Sequence, residues 1–292
     1  MATTSEWIQG ARPRTLPAAI APVSLGTGIA LGAQSFDALR ALLALIVAIA
    51  LQIGVNYSND YSDGIRGTDR VRVGPVRLVG QGLAKPEQVK WAAFAFFAIA
   101  MFSGAILVLL TAQWWLLFIG AASVAAAWFY TGGKRPYGYA GLGEVFVFTF
   151  FGIVPVVGTA YVQTLELSPL AFLAGVGVGS LACAILIANN LRDIPSDSLS
   201  GKRTLAVRLG DSKTRSLFYA TVLLAFLVPI PSVALATPWA LLAYLSAPLA
   251  IKPIQIVRSQ ASGPALIPAL KSTGILLLAY GITFGLGLAL TR

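Results

Sequence analysis

The 292-residue chain has no histidine, a single cysteine and few charged residues. The absence of histidine excludes sites that depend on imidazole metal ligands or on an imidazole general base. One cysteine cannot form a disulfide within the chain, and Cys183 lies in an apolar run, where we expect a buried, inert thiol. Charged residues make up 11% of the sequence, whereas soluble domains carry about 25%. This is not the composition of a soluble protein.

The sequence is instead rich in apolar segments of about 20 residues, each long enough to cross a bilayer core of about 30 Å. Hydrophobic residues make up 57% of the chain. The segments predict nine transmembrane helices, at roughly 15–33, 38–59, 88–111, 113–131, 141–162, 168–191, 215–234, 237–256 and 266–290. No polar stretch is long enough to form a soluble domain. We therefore expect an all-α polytopic membrane protein with a single domain over residues 1–292, and no cleaved signal peptide.

The basic residues predict the orientation of this protein in the cell membrane. If nine helices alternate, nineteen of the 21 Lys and Arg residues fall on one side, and only Arg40 and Arg292 fall opposite. Basic loops stay in the cytoplasm, so the N-terminus and the long loops are predicted to be cytoplasmic and the C-terminus external. The net charge of +10 is explained in the same way, and we expect no nucleic-acid partner.

A polar motif interrupts the end of the second apolar segment. Asp60 and Asp63 are three residues apart and Asn56 is four residues before Asp60, so the three side chains share one face of a helix. Ionisable groups at this depth are costly and by default mark a functional site. The alternative is a helix end that simply meets water.

A similar motif follows in the second half of the chain. Asn189, Asp193 and Asp197 are spaced four residues apart, at the end of the sixth apolar segment. The matching spacing indicates a weak internal repeat in which predicted helices 1 and 2 correspond to helices 5 and 6, although coincidence would explain it as well. Because two such motifs occur, a functional site explains the carboxylates better than two helix ends that simply meet water.

Together the two motifs predict a site for a divalent metal and a diphosphate. Mg²⁺ prefers carboxylate oxygens together with phosphate oxygens of a substrate, and it can stabilise a leaving diphosphate. Cations just beyond the motifs would complete the anion site, and the candidates are Arg66, Arg192, Lys202 and Arg203. Aromatic faces near the same membrane surface could stabilise an allylic carbocation.

At these residues the chain resembles the UbiA-type intramembrane prenyltransferases, over nearly its whole length. Asn59-Asp60-x-x-Asp63 is similar to the first aspartate-rich motif of that family, and Asp193-x-x-x-Asp197 to the second. The resemblance implies a nine-helix fold with both motifs at the cytoplasmic surface. The third carboxylate of the first motif is replaced by Gly67, and Asp69 follows two residues later. The role of Asp69 is therefore left open.

Within the family the chain is most similar to the branch that acts on 1,4-dihydroxy-2-naphthoate. The segments that carry this likeness include Gly67-Thr68-Asp69, 133–144 and Gly201-Lys202-Arg203-Thr204. The resemblance implies Mg²⁺-dependent transfer of a polyprenyl group from polyprenyl diphosphate to the naphthoate ring with loss of CO₂, giving demethylmenaquinone. The length of the prenyl chain and the oligomeric state are left open.

The resemblance also implies roles for individual residues. The expected catalytic residues and metal ligands are Asp60, Asp63, Asp193 and Asp197. The expected substrate-binding residues are Arg14, Asn56, Asn59, Arg66, Lys134, Arg135, Tyr137, Tyr139, Asn189, Arg192, Lys202 and Arg203. Either Arg14 or Arg135 could hold the carboxylate of the acceptor.

Three alternatives compete with this interpretation. The first keeps the family but changes the acceptor, for example to 4-hydroxybenzoate. The second is a secondary transporter, because such proteins also have intramembrane carboxylates and repeats, although those sites lie at the midplane. The third is a phosphatidyl-alcohol transferase. The segment Asp60-x-x-Asp63-Gly64 superficially resembles the motif of those enzymes, although the Ala-Arg pair expected next is missing.

Overall fold

The computed structural model describes residues 2–68 and 76–291, which fold into ten longer helical segments and two short 3₁₀ helices, at Pro13–Thr15 and Tyr137–Ala140. Their bounds are α1 Thr4–Gly10, α2 Pro17–Gly32, α3 Ala38–Arg66, α4 Pro86–Thr111, α5 Leu116–Phe129, α6 Gly143–Thr164, α7 Pro169–Leu199, α8 Leu205–Ala234, α9 Pro238–Arg258 and α10 Gly263–Ala289. A π-helical turn at Thr149–Ile153 interrupts α6, and α9 begins as a 3₁₀ helix.

Each predicted span has a helical counterpart, but the predicted count of nine is not confirmed. In the described part of the chain, seven helices are long and apolar enough to cross a membrane, and an eighth span results if Thr4–Thr15 and Pro17–Gly32, bent by 49°, are taken together. The remaining candidate, α5, has 14 residues and is about 21 Å long, short of a bilayer core of about 30 Å. It is shorter than predicted because Ala112 turns the chain in a left-handed conformation (φ 55°) and α5 begins only at Leu116.

The distribution of side chains is that of a membrane protein. Large apolar side chains such as Phe102 and Phe118, 69% and 78% exposed, lie on the outside of the bundle. Charged side chains such as Asp60, Asp63 and Asp193 are buried inside it. Because a bilayer core offers no hydrogen bonds, charged and polar side chains are favoured inside the bundle, where other polar groups can pair with them.

Two long helices position the polar motifs. The carboxylate of Asp37 caps α3 by accepting a hydrogen bond from the backbone N–H of Arg40, and Gly67 ends the helix with φ 71°. Asp60 therefore lies about 33 Å along α3, and Asp193 about 36 Å along α7. Both motifs are thus placed at one edge of the apolar slab.

Close packing of small residues joins the first and last long helices. A Cβ atom at Gly28 of α2 would overlap the carbonyl oxygen of Gly285 of α10, and one at Gly281 would lie 2.6 Å from the carbonyl oxygen of Ala21. The two backbones can approach this closely only because these positions are glycine.

Candidate functional site

Two adjoining cavities occupy the interior near the polar motifs. One has a volume of about 480 Å³ and is lined mainly by apolar side chains of α2 to α6. The other has a volume of about 210 Å³ and is lined largely by charged and polar side chains. Six residues line both cavities, namely Ala18, Gln52, Asn59, Tyr130, Val147 and Phe151. We refer to them as the apolar cavity and the polar cavity.

Asp63 of the first motif lines the polar cavity and is held by two partners. The hydroxyl of Tyr139 donates to Asp63 Oδ1 over 2.6 Å, and Lys202 Nζ lies 3.3 Å from the same oxygen. The ammonium group of Lys202 also lies 4.5 Å from the centre of the Tyr139 ring, a cation–π contact. Burial and the charge of Asp63 raise the pKa of the Tyr139 phenol, so it remains a hydrogen-bond donor at neutral pH.

The turn after α7 brings Lys202 back over the polar cavity. Gly201 adopts φ 75°, which L side chains rarely adopt, and the backbone N–H of Lys202 donates to the carbonyl oxygen of Asp197 over 2.9 Å. The next N–H, of Arg203, donates to the carbonyl oxygen of Tyr139 over 3.0 Å. This segment therefore connects the end of α7 to the loop that carries Tyr139.

In the second motif, only part of the predicted polar face reaches the cavity. Asn189 and Asp197 line the polar cavity. Asp193 instead forms a buried bidentate pair with Arg192, with distances of 2.6 Å to Nε and 2.7 Å to Nη2. Arg192 also donates to Asn189 Oδ1 over 2.9 Å, so this pair orients the amide of Asn189.

Asp60, the other carboxylate of the first motif, anchors a loop. It is fully buried, and its two oxygens accept hydrogen bonds from the backbone N–H groups of Leu78, at 2.7 Å, and Val79, at 3.1 Å. Arg77, which precedes these residues, lines the polar cavity. Asp60 therefore positions a cationic wall of the cavity, and the structure places it and Asp193 outside the cavity lining.

The two asparagines of the first motif have different positions. Asn59 lines both cavities, and its Oδ1 accepts a hydrogen bond from the hydroxyl of Thr131 over 2.8 Å. Asn56 lines the apolar cavity and donates to the carbonyl oxygen of Ala11 and to the hydroxyl of Thr15. It thereby ties the N-terminal segment to α3.

Two further predicted residues, Tyr137 and Arg66, lie close to the cavities. Tyr137 lines the apolar cavity, where its hydroxyl donates to the carbonyl oxygen of Ala126 over 2.6 Å and its ring stacks on Phe146. Arg66 is exposed and donates to the carbonyl oxygens of Thr131 and Gly133, and its guanidinium lies 5.3 Å from the Tyr139 ring. Arg66 thus supports the loop that carries Tyr139.

The remaining predicted cations are exposed at the surface. Arg14, Lys134, Arg135 and Arg203 lie outside the lining of both cavities. Their expected roles in substrate binding stay predictions. Asp69 lies outside the described residues.

The structure adds residues to the polar cavity that the sequence motifs do not include. Arg12, Gln52, Arg77 and Asn190 all line it. Gln52 carried a detectable signal, because it is a polar residue in an apolar run and lies one helical turn before Asn56. No sequence pattern identified Arg77, because its position depends on a long-range contact between its loop and α3.

The donor atoms of the polar cavity suit Mg²⁺. Among residues 2–68 and 76–291, no group of three or more histidine, cysteine, aspartate or glutamate side chains could hold a metal alone. The cavity offers the carboxylates of Asp63 and Asp197 and the amide groups of Asn59 and Asn189. Mg²⁺ is commonly held in this way, by one or two carboxylates with phosphate oxygens of the substrate completing its coordination.

Comparison with known proteins places the chain in a family. The sequence profile of the UbiA prenyltransferase family matches residues 19–288. The chain belongs to this family. Among its relatives is the 1,4-dihydroxy-2-naphthoate octaprenyltransferase of Mycobacterium tuberculosis, which is 50% identical over 99% of this chain and 98% of the relative. The protein of the same name from Escherichia coli is 38% identical over 99% and 96% of the two chains.

Solved structures support the fold of this UbiA family member. A UbiA homolog from Archaeoglobus fulgidus bound to GPP and Mg²⁺ is 15% identical, with a TM-score of 0.64 over 96% of this chain and 99% of that chain. A UbiA homolog from Aeropyrum pernix K1 gives a TM-score of 0.63 at 19% identity, over 91% and 96% of the two chains. The all-helical UbiA fold predicted from the motifs is thus confirmed, and the chain is a multi-pass membrane protein.

Proposed function

We propose that this enzyme transfers a polyprenyl group from polyprenyl diphosphate to 1,4-dihydroxy-2-naphthoate, with loss of CO₂ and diphosphate, to give demethylmenaquinone in its reduced, hydroquinone form. The observation that carries the proposal is a polar cavity that adjoins a larger apolar one, with six lining residues in common. Such a pair fits a substrate that has an anionic head and a long hydrocarbon tail. The choice of acceptor is supported by relatives of that name, of which one is 50% identical over nearly the full chain.

The polar cavity binds the diphosphate. Three cations, Arg12, Arg77 and Lys202, face two carboxylates, Asp63 and Asp197, in its described lining. Charge-assisted hydrogen bonds from guanidinium and ammonium groups are the strong ones for phosphate oxygens. In a cavity screened from bulk water these contacts are stronger than at an exposed surface.

Asp63, Asp197, Asn59 and Asn189 are the residues that would hold Mg²⁺. When bound, the metal neutralises charge on the diphosphate and makes it a better leaving group. Lys202 and Tyr139 hold Asp63 in place, and Arg192 orients Asn189. Asp60 and Asp193 are supporting residues in this scheme, since neither lines the polar cavity.

The apolar cavity receives the prenyl tail. Three glycines that line it do not pack against another helix, namely Gly104, Gly120 and Gly158. A Cβ atom at each of these positions would have no neighbour within 4 Å. They leave open space along α4, α5 and α6. We propose that this space accommodates isoprene units and that a longer tail continues into the lipid.

The reaction takes place where the two cavities meet. A ring carbon of the acceptor bonds to the first prenyl carbon, the bond from that carbon to the diphosphate oxygen breaks, and the carboxylate leaves as CO₂. Tyr130 lines both cavities and Tyr137 the apolar one. Their electron-rich faces stabilise positive charge that develops on the allylic carbon.

We also propose nine membrane crossings within one domain over residues 1–292, with the N-terminus and the polar cavity on the cytoplasmic side. The excess of basic residues in the corresponding loops supports this orientation. A test is to label single cysteines introduced at Lys134 and at Glu166 in intact cells with a membrane-impermeant maleimide, in a Cys183→Ser background. The cysteine at 166 should react and the one at 134 should react only after lysis.

The proposed function is tested with purified protein in detergent, Mg²⁺ and a radiolabelled polyprenyl diphosphate. 1,4-Dihydroxy-2-naphthoate and 4-hydroxybenzoate are supplied in parallel. A lipophilic product with the naphthoate alone supports the proposal. A product with the benzoate alone would keep the reaction type and replace the acceptor, and no product with either would contradict the proposed function.

A further inference from the structure

Gln52 lies at the junction of the two cavities, and its buried side-chain oxygen lacks a hydrogen-bond partner in the described part of the chain. The residue is 5% exposed and lines both cavities. Among the described residues, its Oε1 atom has no hydrogen-bond partner. Leaving a buried carbonyl unsatisfied is costly, so an isolated acceptor at this position requires an explanation.

The surrounding hydrogen bonds fix which end of the Gln52 amide faces the cavities. A hydroxyl group has one proton and two acceptor sites. The hydroxyl of Thr15 donates its proton to the carbonyl oxygen of Arg12 over 2.9 Å, because a carbonyl can only accept. Thr15 must therefore accept from both of its other neighbours, Asn56 Nδ2 at 3.0 Å and Gln52 Nε2 at 2.9 Å.

The orientation of Asn56 is fixed independently. Its terminal nitrogen also lies 2.9 Å from the carbonyl oxygen of Ala11, which can only accept a hydrogen bond. Both acceptor sites of Thr15 are thus used, and the NH₂ group of Gln52 must point to Thr15. Its carbonyl oxygen is left as a fixed acceptor at the junction.

The chemistry of the two substrates identifies the group that meets this oxygen. A polyprenyl tail has no hydrogen-bond donor, and an ionised diphosphate has only acceptors. The aromatic acceptor has two ring hydroxyls, and the 1-hydroxyl can bond internally to the adjacent carboxylate. Only the 4-hydroxyl remains as a free donor.

We infer that Gln52 is a specificity-determining residue whose side-chain carbonyl accepts a hydrogen bond from the 4-hydroxyl of the naphthoate. This inference rests on the proposed function. Gln52 orients the ring between the diphosphate in the polar cavity and the prenyl carbon at the entrance to the apolar cavity. Thr15 and Asn56 act through Gln52 as positioning residues.

The experiment compares 1,4-dihydroxy-2-naphthoate with 1-hydroxy-2-naphthoate, which lacks the 4-hydroxyl. Wild-type protein, Gln52→Leu and Gln52→Met are each assayed for the ratio of kcat/KM on the two acceptors, which cancels a general loss of activity. The unbranched Met variant provides the test if the Leu variant fails to fold. The matched control is Gln163→Leu, because Gln163 is also a 5% exposed glutamine but its Oε1 is used by the N–H of Asp37.

We expect the preference for the dihydroxy compound to fall by roughly tenfold or more in both Gln52 variants, while the KM for the prenyl diphosphate is unchanged. Gln163→Leu should keep the wild-type preference. An unchanged ratio in an active Gln52 variant, or an equal fall in Gln163→Leu, would overturn the inference.

Equilibrium binding of the two naphthoates without prenyl diphosphate separates this inference from the proposed function. If wild type transfers no prenyl group but binds the dihydroxy compound more tightly, and Gln52→Leu abolishes that difference, the inference holds and the function fails. If transfer occurs and the preference is independent of Gln52, the function holds and the inference fails. If the wild type neither binds nor prenylates either naphthoate, both fail.

Discussion

Replacing Lys202 by methionine removes the ammonium group that lies 3.3 Å from Asp63, while keeping much of the side-chain volume. With an effective dielectric constant of about 20, the attraction over this distance is about 5 kcal/mol. Both side chains are less than one-tenth exposed, so solvent screens the pair little. Removing one partner of such a buried pair costs about 3–5 kcal/mol in other proteins. At about 2 °C per kcal/mol for a chain of this size, we expect the Tm of Lys202→Met to fall by at least 6 °C.

The assay is thermal unfolding in detergent, with and without Mg²⁺. The control is Lys213→Met, because Lys213 is exposed and should change the free energy of unfolding by less than about 0.5 kcal/mol. Mg²⁺ should raise the Tm of Lys202→Met more than that of wild type, since the metal replaces the lost positive charge beside Asp63. The double variant Asp63→Asn/Lys202→Met should lose less stability than the sum of the two single variants.

A Tm for Lys202→Met that matches the Lys213→Met control would refute this reasoning about the ion pair. Equal stabilisation of wild type and Lys202→Met by Mg²⁺ would show that Asp63 is not near the bound metal. The same preparations measure the KM for prenyl diphosphate, which we expect to rise more than the KM for the acceptor.

Four further predictions concern the cavities and their supports. EDTA should abolish activity and Mg²⁺ restore it, and activity that persists after thorough chelation would exclude a required metal. Asp197→Asn should raise the Mg²⁺ concentration needed for half-maximal activity by at least about tenfold, and an unchanged requirement would remove Asp197 from the metal site. In Asp60→Asn the side chain can accept only one of the two backbone hydrogen bonds, so the contact between the loop and α3 should weaken by about 1–3 kcal/mol. Limited proteolysis near Arg77 should then be faster than in wild type, and a wild-type cleavage pattern would count against Asp60 as the anchor of this loop. Gly158→Leu should lower kcat/KM for octaprenyl diphosphate more than for geranyl diphosphate, whereas Gly158→Ala should have little effect. Equal losses on both donors in the Leu variant would mean that the space beside Gly158 does not hold the distal isoprene units.

The sequence was sufficient to predict an all-helical membrane fold, because each long helix contains an apolar run of about 20 residues. It also located both carboxylate motifs, because ionisable groups stand out at the end of an apolar helix. Three predicted ranges were wrong at their ends. The range 113–131 shrinks to Leu116–Phe129 in α5, whereas α7 extends past residue 191 to Leu199 and α8 begins at Leu205 and not at residue 215. Apolar composition reports burial in lipid or protein, but the ends of a short helix depend on the turns beside it.

The spacing of the four aspartates did not predict which of them line the polar cavity. Asp60 and Asp63 share a helical face, yet Asp60 is bound by the N–H groups of Leu78 and Val79 while Asp63 lines the polar cavity. That difference depends on how a distant loop folds back onto α3. The orientation of the Gln52 amide likewise depends on Thr15, which lies 37 residues away in the chain.

The packing of α2 against α10 has a consequence for the biogenesis of the enzyme. Arg12 and Thr15 lie just before α2, and α2 packs closely against Gly281 and Gly285 of the last helix. During translation the N-terminal part of the site is synthesised first, whereas α10, which packs against α2, is synthesised last. The nascent chain can insert its helices one by one, whereas the polar cavity is completed only after translation ends. A premature stop before α10 should therefore leave an inserted but inactive protein.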